Sequence, residues 1–326
     1  MKPDTDIVEM LIRSAGRRAE PPADAHGQVF AAAHASFRAK VQGRRRAWIL
    51  RASAAAALVV AVALVVRWAP PGVPQGKIAQ VSRIVGEVEL ATADGWQPLT
   101  EPRSRLAAGS RVRTQAAGRV ALTLGGGESL RLAARTEVML DAPGRLYVQA
   151  GTIYVDSGER PSAARIEVVT PAGTARDVGT QFELHVEGAA LRLRVREGLV
   201  MLDRGGRSLA GRAGEQLTVD GLGSVTRASI SPTDPAWHWA EAVASMPDMD
   251  GKPASALIAW VARETGRRLQ YESPIVEQRA AAVILHGDIR HLAPLEALEA
   301  MLATTDLRVE LDGDTMEIRS RTVETR

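Results

Sequence analysis

The chain has 326 residues and contains no cysteine, which excludes a disulfide framework and any metal site built from thiolates. Its formal net charge is +3, and the positive excess lies in residues 1–46, which carry nine Lys or Arg against five Asp or Glu. The remainder is close to neutral, and its sparse aromatic residues are not interleaved with basic ones. This composition argues against a nucleic-acid-binding surface.

The first 46 residues predict two amphipathic helices, separated by Pro21-Pro22 because proline interrupts a helix. Asp6 followed by Glu9 resembles a capping box at the start of the first helix. Apolar residues recur on one face of each helix, and the side chains that we expect to bind a partner are Ile7, Val8, Leu11, Ile12, Phe30 and Phe37. So short a segment makes a poor core, which favours a protein partner. The alternative is a helical hairpin that lies on a bilayer.

An uncharged run from Ala52 to Val66 follows. At about 1.5 Å per residue this run spans roughly 22 Å, whereas residues 47–69 span about 34 Å and cross a hydrocarbon core of ~30 Å. We therefore predict a transmembrane helix over 47–69. The residues expected to anchor it are Arg44, Arg45, Arg46, Trp48, Arg51, Arg67 and Trp68. The alternatives are a buried core helix, which needs apolar partners on every face, and a signal peptide, which needs a far shorter charged leader.

The orientation of the predicted span follows from the charges on its two sides. Four arginines lie just upstream of the apolar run, whereas the nearby positive charges downstream are Arg67 and Lys77. The positive-inside rule then places the N-terminus in the cytoplasm and residues 70–326 outside, in a periplasm-like space.

From Ile78 to about Ile230 the apolar residues alternate with polar ones in short segments. Turn residues such as Asp94-Gly95 and Gly205-Gly206 separate these segments, and no helical period interrupts them. Short alternating strands with glycine turns predict a mainly-β domain over 78–230, an antiparallel sandwich or rolled sheet.

Four motifs in this domain resemble the core of a FecR-type domain over about residues 78–220. In order they are the strand at 151–155 (GTIYV), the strand at 169–174 (VTPAGT), the turn at 178–183 (VGTQFE) and the hairpin at 195–200 (VREGLV). The signature residues are Gly151, Thr170, Pro171, Gly179, Thr180, Phe182 and Gly198. We interpret them as determinants of the fold, because glycine serves positions of positive φ or close strand approach and Phe182 suits a core.

This resemblance implies a function in signalling across the bacterial inner membrane. The family regulates an extracytoplasmic-function sigma factor, which its cytoplasmic segment binds. Its periplasmic domain receives a signal, often from an outer-membrane TonB-dependent transporter. The resemblance thus assigns sigma-factor binding to residues 1–46 and predicts a single-pass inner-membrane protein with a periplasmic C-terminus.

Residues 246–320 predict a small α+β module. We expect helices at 253–265 and 294–304, strands at 268–272 and 281–286, and a hairpin around Asp312-Gly313. The module resembles the short domain at the N-terminus of secretins and TonB-dependent transporters, which implies docking on another periplasmic protein. An unrelated βαβ-like fold is the alternative. The predicted fold class is therefore multidomain: a helical leader, one span, a mainly-β domain and an α+β module.

The sequence offers no constellation for catalysis, so we expect neither an enzyme nor a cofactor. None of the six histidines belongs to a zinc-protease motif. His286, Asp288 and His291 lie close enough in sequence to suggest a loop metal site, but solvated loop histidines are common and we predict no metal. Two other functions stay open. One is a membrane-anchored interaction protein of the envelope without sigma-factor binding, and the other is an enzyme acting on wall polymers.

Overall fold

The computed structural model describes residues 10, 13–14, 76–158, 166–177, 179–245, 247–287 and 292–321. The chain divides into two compact units, Met1–Gly72 and Val73–Arg326. In the first unit the described residues Met10, Arg13 and Ser14 are helical. The expected partner-binding side chains of the leader, the predicted span and its anchoring residues lie outside the described residues. Over the described part of the chain, no helix is long and apolar enough to cross a membrane.

In the second unit, seventeen strands of the described chain form two mostly antiparallel layers that share one long strand. The strands are β1 (Lys77–Val85), β2 (Val88–Thr92), β3 (Gly95–Pro98), β4 (Arg105–Ala107), β5 (Arg111–Thr114), β6 (Arg119–Leu124), β7 (Ser129–Leu132), β8 (Glu137–Ala142), β9 (Arg145–Asp156), β10 (Glu167–Thr170), β11 (Gly173–Asp177), β12 (Gln181–Glu187), β13 (Ala190–Glu197), β14 (Leu199–Arg204), β15 (Arg207–Arg212), β16 (Glu215–Val219) and β17 (Val225–Ser229). The mainly-β prediction is therefore confirmed for this region.

Strand β9 belongs to both layers. The first sheet has the order β4–β1–β6–β7–β9–β12–β13–β16–β17. The second has the order β3–β2–β5–β8–β9–β10–β11–β14–β15. All pairs are antiparallel except β9 with β10, which run parallel and so depart from the purely antiparallel expectation.

The apolar core of the domain lies between the two sheets. In β12 and β13 alternate side chains, among them Phe182, Leu184, Leu193 and Val195, are fully buried in it. Period-two alternation produces this arrangement because successive side chains of a strand point to opposite faces. The polar residues between them face outward, and there they meet the C-terminal part of the chain.

Glycine is required where β9 passes from one sheet to the other. Gly151 has a φ of +100°, and a Cβ there would lie 2.5 Å from the Cα of Thr136. Gly198, between β13 and β14, has a φ of +82°, and a Cβ there would lie 2.3 Å from the carbonyl oxygen of Gly179. A side chain at either position would collide with backbone.

The C-terminal module packs helices against a three-stranded sheet. A 3-10 turn (Pro235–Trp237) leads into α1 (His238–Glu241), and the module continues with α2 (Ala254–Glu264), β18 (Arg268–Tyr271), α3 (Pro274–Ala282), α4 (Pro294–Leu302), β19 (Leu307–Asp312) and β20 (Thr315–Ser320). The sheet order is β18–β20–β19, with β18 parallel and β19 antiparallel to β20. Its core includes Leu257, Val261, Leu298, Leu302 and Ile318.

The expected strand at 281–286 is wrong. The side chain of Ser273 accepts a hydrogen bond from the Val276 N–H, and Pro274 occupies the first turn, so a capped helix runs on to Ala282. Ile284 forms only an isolated bridge with Pro253. A run of small and apolar residues is compatible with a strand or a helix. Here the N-terminal cap by Ser273 stabilises the helix.

Candidate functional site

A row of polar side chains crosses the outer face of the first sheet. The register places Arg131 of β7 opposite Tyr154 of β9, Tyr154 opposite Glu183 of β12, and Glu183 opposite Arg194 of β13. Outward positions of a sheet are normally hydrated. Here Arg131, Tyr154 and Glu183 are each at most 1% exposed, because the 3-10 turn, α1 and the end of α2 lie over them.

Two tryptophans of the connecting segment, residues 230–245, cover this row. The ring of Trp237 is fully buried and meets Tyr154 edge-on, with 6.1 Å between ring centroids. Its Nε1 donates to the Ser231 carbonyl at 2.9 Å. Trp239 Nε1 donates to Glu183 Oε2 at 2.8 Å. Large aromatic rings with satisfied N–H groups thus fix the segment that joins the two modules.

Arg131 forms the centre of the interface. Its guanidinium donates to Glu264 Oε1 at 2.8 Å and to the Ala240 carbonyl at 3.0 Å, and lies 5.0 Å from the Tyr154 ring centroid. Burial opposes the charge of Arg131, but Glu264 outweighs it, and the pKa of the guanidinium is raised. The end of α2 is therefore tied to β7 through a fully desolvated ion pair.

Arg196 holds three segments at once. Its guanidinium donates to the Pro232 carbonyl at 2.6 Å, to Glu241 Oε1 at 2.6 Å and to the Glu264 carbonyl at 2.7 Å. It also lies 5.0 Å from the Trp237 ring centroid. The register shifts here, because Gln181 pairs with Glu197 while Phe182 pairs with Val195. Arg196 is thus the extra residue of a bulge, a device that commonly redirects a side chain.

Arg263 and Asp156 form a second ion pair between the modules, at 2.6 Å. Gln181 Nε2 donates to the other carboxylate oxygen of Asp156 at 3.0 Å. Burial acts to raise the pKa of Asp156, but the hydrogen bond and charge of Arg263 outweigh burial, and the pKa lies below its usual range. Asp156 is therefore ionised at neutral pH.

Two buried oxygens at this interface lack a partner among the residues that the structure describes. They are the hydroxyl of Tyr154 and Oε2 of Glu264. Burial raises the pKa of Tyr154, so its hydroxyl keeps its proton. An unsatisfied buried polar group costs about 1–3 kcal/mol. The interface is therefore specific and polar without being optimised for stability.

Further contacts surround this centre. Arg83 of β1 donates to the carbonyls of Ala244 and Leu292, at 3.2 and 3.4 Å. Ser245 donates to Ser82 at 2.7 Å. At another point Thr233 donates to Asp314 Oδ1 at 2.7 Å. The C-terminal module is thus attached to the sandwich at several points through polar groups.

The signature residues predicted from the sequence lie away from this row, in turns and in the core. Thr170 and Pro171 begin the β10–β11 turn, where Thr170 Oγ1 donates to the Gly173 carbonyl at 2.8 Å. Gly179 has a φ of +76° and precedes Thr180, whose side chain hydrogen-bonds Asp177. Phe182 is fully buried. The arginines of the interface were not predicted. The sequence signal nearest to them was the pair of tryptophans after Pro235.

No group of three or more His, Asp or Glu that could hold a metal ion occurs among the described residues. Of the three residues considered for a loop metal site, Asp288 and His291 lie outside that part of the chain. His286 is exposed and lies 3.5 Å from Asp250.

Part of the chain is similar to known proteins, both to solved structures and to a family model. Two crystal structures, at 2.50 and 1.65 Å resolution, of a Parabacteroides distasonis ATCC 8503 protein provisionally described as an anti-sigma factor match 65% of this chain and 99% of that protein. The sequence identity is 14% and the TM-score 0.36. No curated protein matches. Residues 110–201 match the family model described as FecR protein. The FecR resemblance predicted from the motifs is therefore confirmed over residues 110–201, whereas the resemblance of the C-terminal module to secretin and transporter domains stays a prediction.

Proposed function

We propose that the chain regulates an extracytoplasmic-function sigma factor from the inner membrane. The observation that carries this proposal is the FecR match at 110–201, which lies downstream of an arginine-flanked apolar run. In the proposed arrangement residues 1–46 bind the sigma factor in the cytoplasm, residues 47–69 cross the membrane, and the β domain and C-terminal module lie in the periplasm. The regulator binds its partners and catalyses no reaction.

The buried interface supports a role for the C-terminal module in signalling. Arg131, Arg196 and Arg263 couple the end of α2 to strands of the sandwich. A protein that docks on the module, such as a TonB-dependent transporter or another envelope protein, would thereby act on the sandwich as well. Buried ion pairs suit such coupling because they specify one arrangement while contributing little net stability.

The competing function is a membrane-anchored envelope protein that does not bind a sigma factor. Both proposals share the span and the periplasmic domains, so the leader discriminates between them. If it binds a partner, its apolar faces carry the affinity, since burying one Leu or Phe contributes about 1.5–3 kcal/mol.

The test replaces Leu11 and Phe37 with aspartate in the full-length chain. Losing both side chains should weaken sigma-factor capture by about 100-fold or more, at about 1.4 kcal/mol per tenfold, and change transcription of the regulon. The matched control is Met10→Asp with Gln28→Asp, which adds the same charge outside the predicted apolar faces. Met10 is 68% exposed. Normal capture and signalling by the first variant would favour the envelope protein.

A further inference from the structure

A polar cleft lies where the sandwich meets the segment after α1. Its volume is about 250 Å³, and it is lined by Gln80, Val81, Ser82, Arg83, Arg103, Thr123 and Ser245. At about 30 Å³ per water this is room for roughly eight waters, enough for a small ligand. The lining carries two guanidinium groups, three hydroxyls and one amide, and no carboxylate belongs to it.

Two backbone irregularities meet at this cleft. In β1 the register with β6 shifts between Val81, which faces Leu122, and Arg83, which faces Ala121, so Ser82 is the extra residue of a bulge. Arg103, in the β3–β4 connection, has a φ of +70°, which side-chain-bearing residues rarely adopt. The Arg103 N–H donates to the Val81 carbonyl at 2.8 Å, which joins the two irregularities. Bulges and strained residues of this kind are concentrated at functional sites.

The two arginines of the cleft are held differently. Arg83 donates to the carbonyls of Ala244 and Leu292, so part of its hydrogen-bonding capacity is used within the protein. Arg103 is exposed, and its guanidinium has no hydrogen bond or ion pair among the residues that the structure describes. Glycine adopts such a φ without strain, so Arg103→Gly would remove the guanidinium without adding backbone strain.

We propose that this cleft binds a small anion, a carboxylate or phosphate, through the Arg103 guanidinium, with the exposed hydroxyl of Thr123 as a second donor. Planar guanidinium groups bind such oxyanions through paired hydrogen bonds. The hydroxyls of Ser245 and Ser82 are not free to donate, because Ser245 donates to Ser82 at 2.7 Å and Ser82 donates to the Ala121 carbonyl at 2.9 Å. The anion would therefore be held by side chains of the sandwich, beside the Ser245–Ser82 hydrogen bond that joins the sandwich to the segment after α1.

Isothermal titration calorimetry of the full-length chain in detergent tests the proposal with three probes. Inorganic phosphate and succinate distinguish the two sources of the anion, and glucose is the neutral reference. We expect one of the two anions to bind below about 10 mM and glucose not to bind. Arg103→Gly should weaken anion binding by about tenfold or more, while its melting temperature stays the same or rises because the strained backbone relaxes.

Arg207→Ala is the control, since it removes an exposed arginine from another part of the sandwich and should leave binding unchanged. The proposal is overturned if neither anion binds, if glucose binds equally well, if Arg103→Gly binds as the unaltered chain does, or if Arg207→Ala weakens binding to the same degree.

Discussion

Arg131 and Glu264 form a 2.8 Å ion pair between two modules, although 133 residues separate them in sequence. Their side chains are 1% and 6% exposed. Both charged groups are buried away from water, so each is stabilised mainly by the opposite charge of the other. Such a pair adds little to the free energy of unfolding compared with apolar residues of the same shape. Removing one member, however, leaves a buried charge without a partner.

Glu264→Gln should therefore lower the free energy of unfolding by about 3 kcal/mol or more, because Arg131 stays charged and buried. Arg131→Met combined with Glu264→Leu should recover most of this loss. Denaturant titration of the three proteins measures the effect.

The control for this experiment is the exposed pair of Arg279 and Asp306, with side chains 49% and 52% exposed. Asp306→Asn should cost less than about 1 kcal/mol. If Glu264→Gln costs no more than Asp306→Asn, the interface is more hydrated than its geometry indicates.

Arg196→Lys should loosen the C-terminal module from the sandwich. Lysine keeps the charge but cannot reach the Pro232 carbonyl, the Glu241 carboxylate and the Glu264 carbonyl with one planar group. Limited proteolysis should then cut the connecting segment faster, by about tenfold, while the sandwich stays intact.

The neighbouring Arg192→Lys serves as the comparison, since Arg192 lies on the same face of β13 with its side chain 32% exposed. Equal cleavage rates for the two variants would show that the contacts of Arg196 do not hold the module.

The sequence could predict the sandwich but not its polar interface. Alternation in strands such as β12 places Phe182 and Leu184 inward, and this pattern depends only on local geometry. The same alternation puts Arg131 and Arg196 on the outer face, where a charged residue is normally taken as solvated. Their burial results from the packing of α2, which local periodicity does not record.

The sequence also predicted the C-terminal module only in part. The apolar periods at 253–265 and 294–304 indicated two helices, whereas α3 was missed. Its apolar face is narrow, with Val276 and Ala280 as its buried residues. The capping residue Ser273 and Pro274 were the stronger signals.

The contribution of Asp156 to stability should change with pH only in the acid range. The pKa of its carboxyl is lowered in the folded protein because Arg263 outweighs burial. A lowered carboxyl pKa contributes stability above the unfolded value of about 3.9, and the contribution is lost as the pH falls through the folded pKa. The stability difference between the unaltered chain and Asp156→Asn should thus be constant above about pH 5 and shrink below about pH 4.

Other carboxyl groups titrate in both proteins, so the difference isolates Asp156. Urea titrations at a series of pH values measure it. A difference that grows on acidification would contradict the lowered pKa.

Gly151→Ala tests the junction between the two sheets. The new Cβ would meet the Cα of Thr136 at 2.5 Å in addition to the strain of a φ of +100°. Gly127→Ala carries a similar φ of +95° but has no atom within 4 Å of the new Cβ. We expect a loss of about 1 kcal/mol for Gly127→Ala and a clearly larger one, or failure to fold, for Gly151→Ala. Similar melting temperatures for the two variants would exclude the steric role of the junction.

The proposed sigma-factor function requires that the leader lies on the cytoplasmic side of the membrane. The arginine asymmetry around residues 52–66 predicts that the N-terminus lies inside. Alkaline phosphatase is active only after export, so a fusion after Gly223 should be active and a fusion after Lys40 inactive. Replacing Arg44, Arg45 and Arg46 with glutamine should reduce the activity of the Gly223 fusion, because these charges hold the leader on the cytoplasmic side. Activity of the Lys40 fusion together with inactivity of the Gly223 fusion would place the leader outside, where it could not reach a sigma factor.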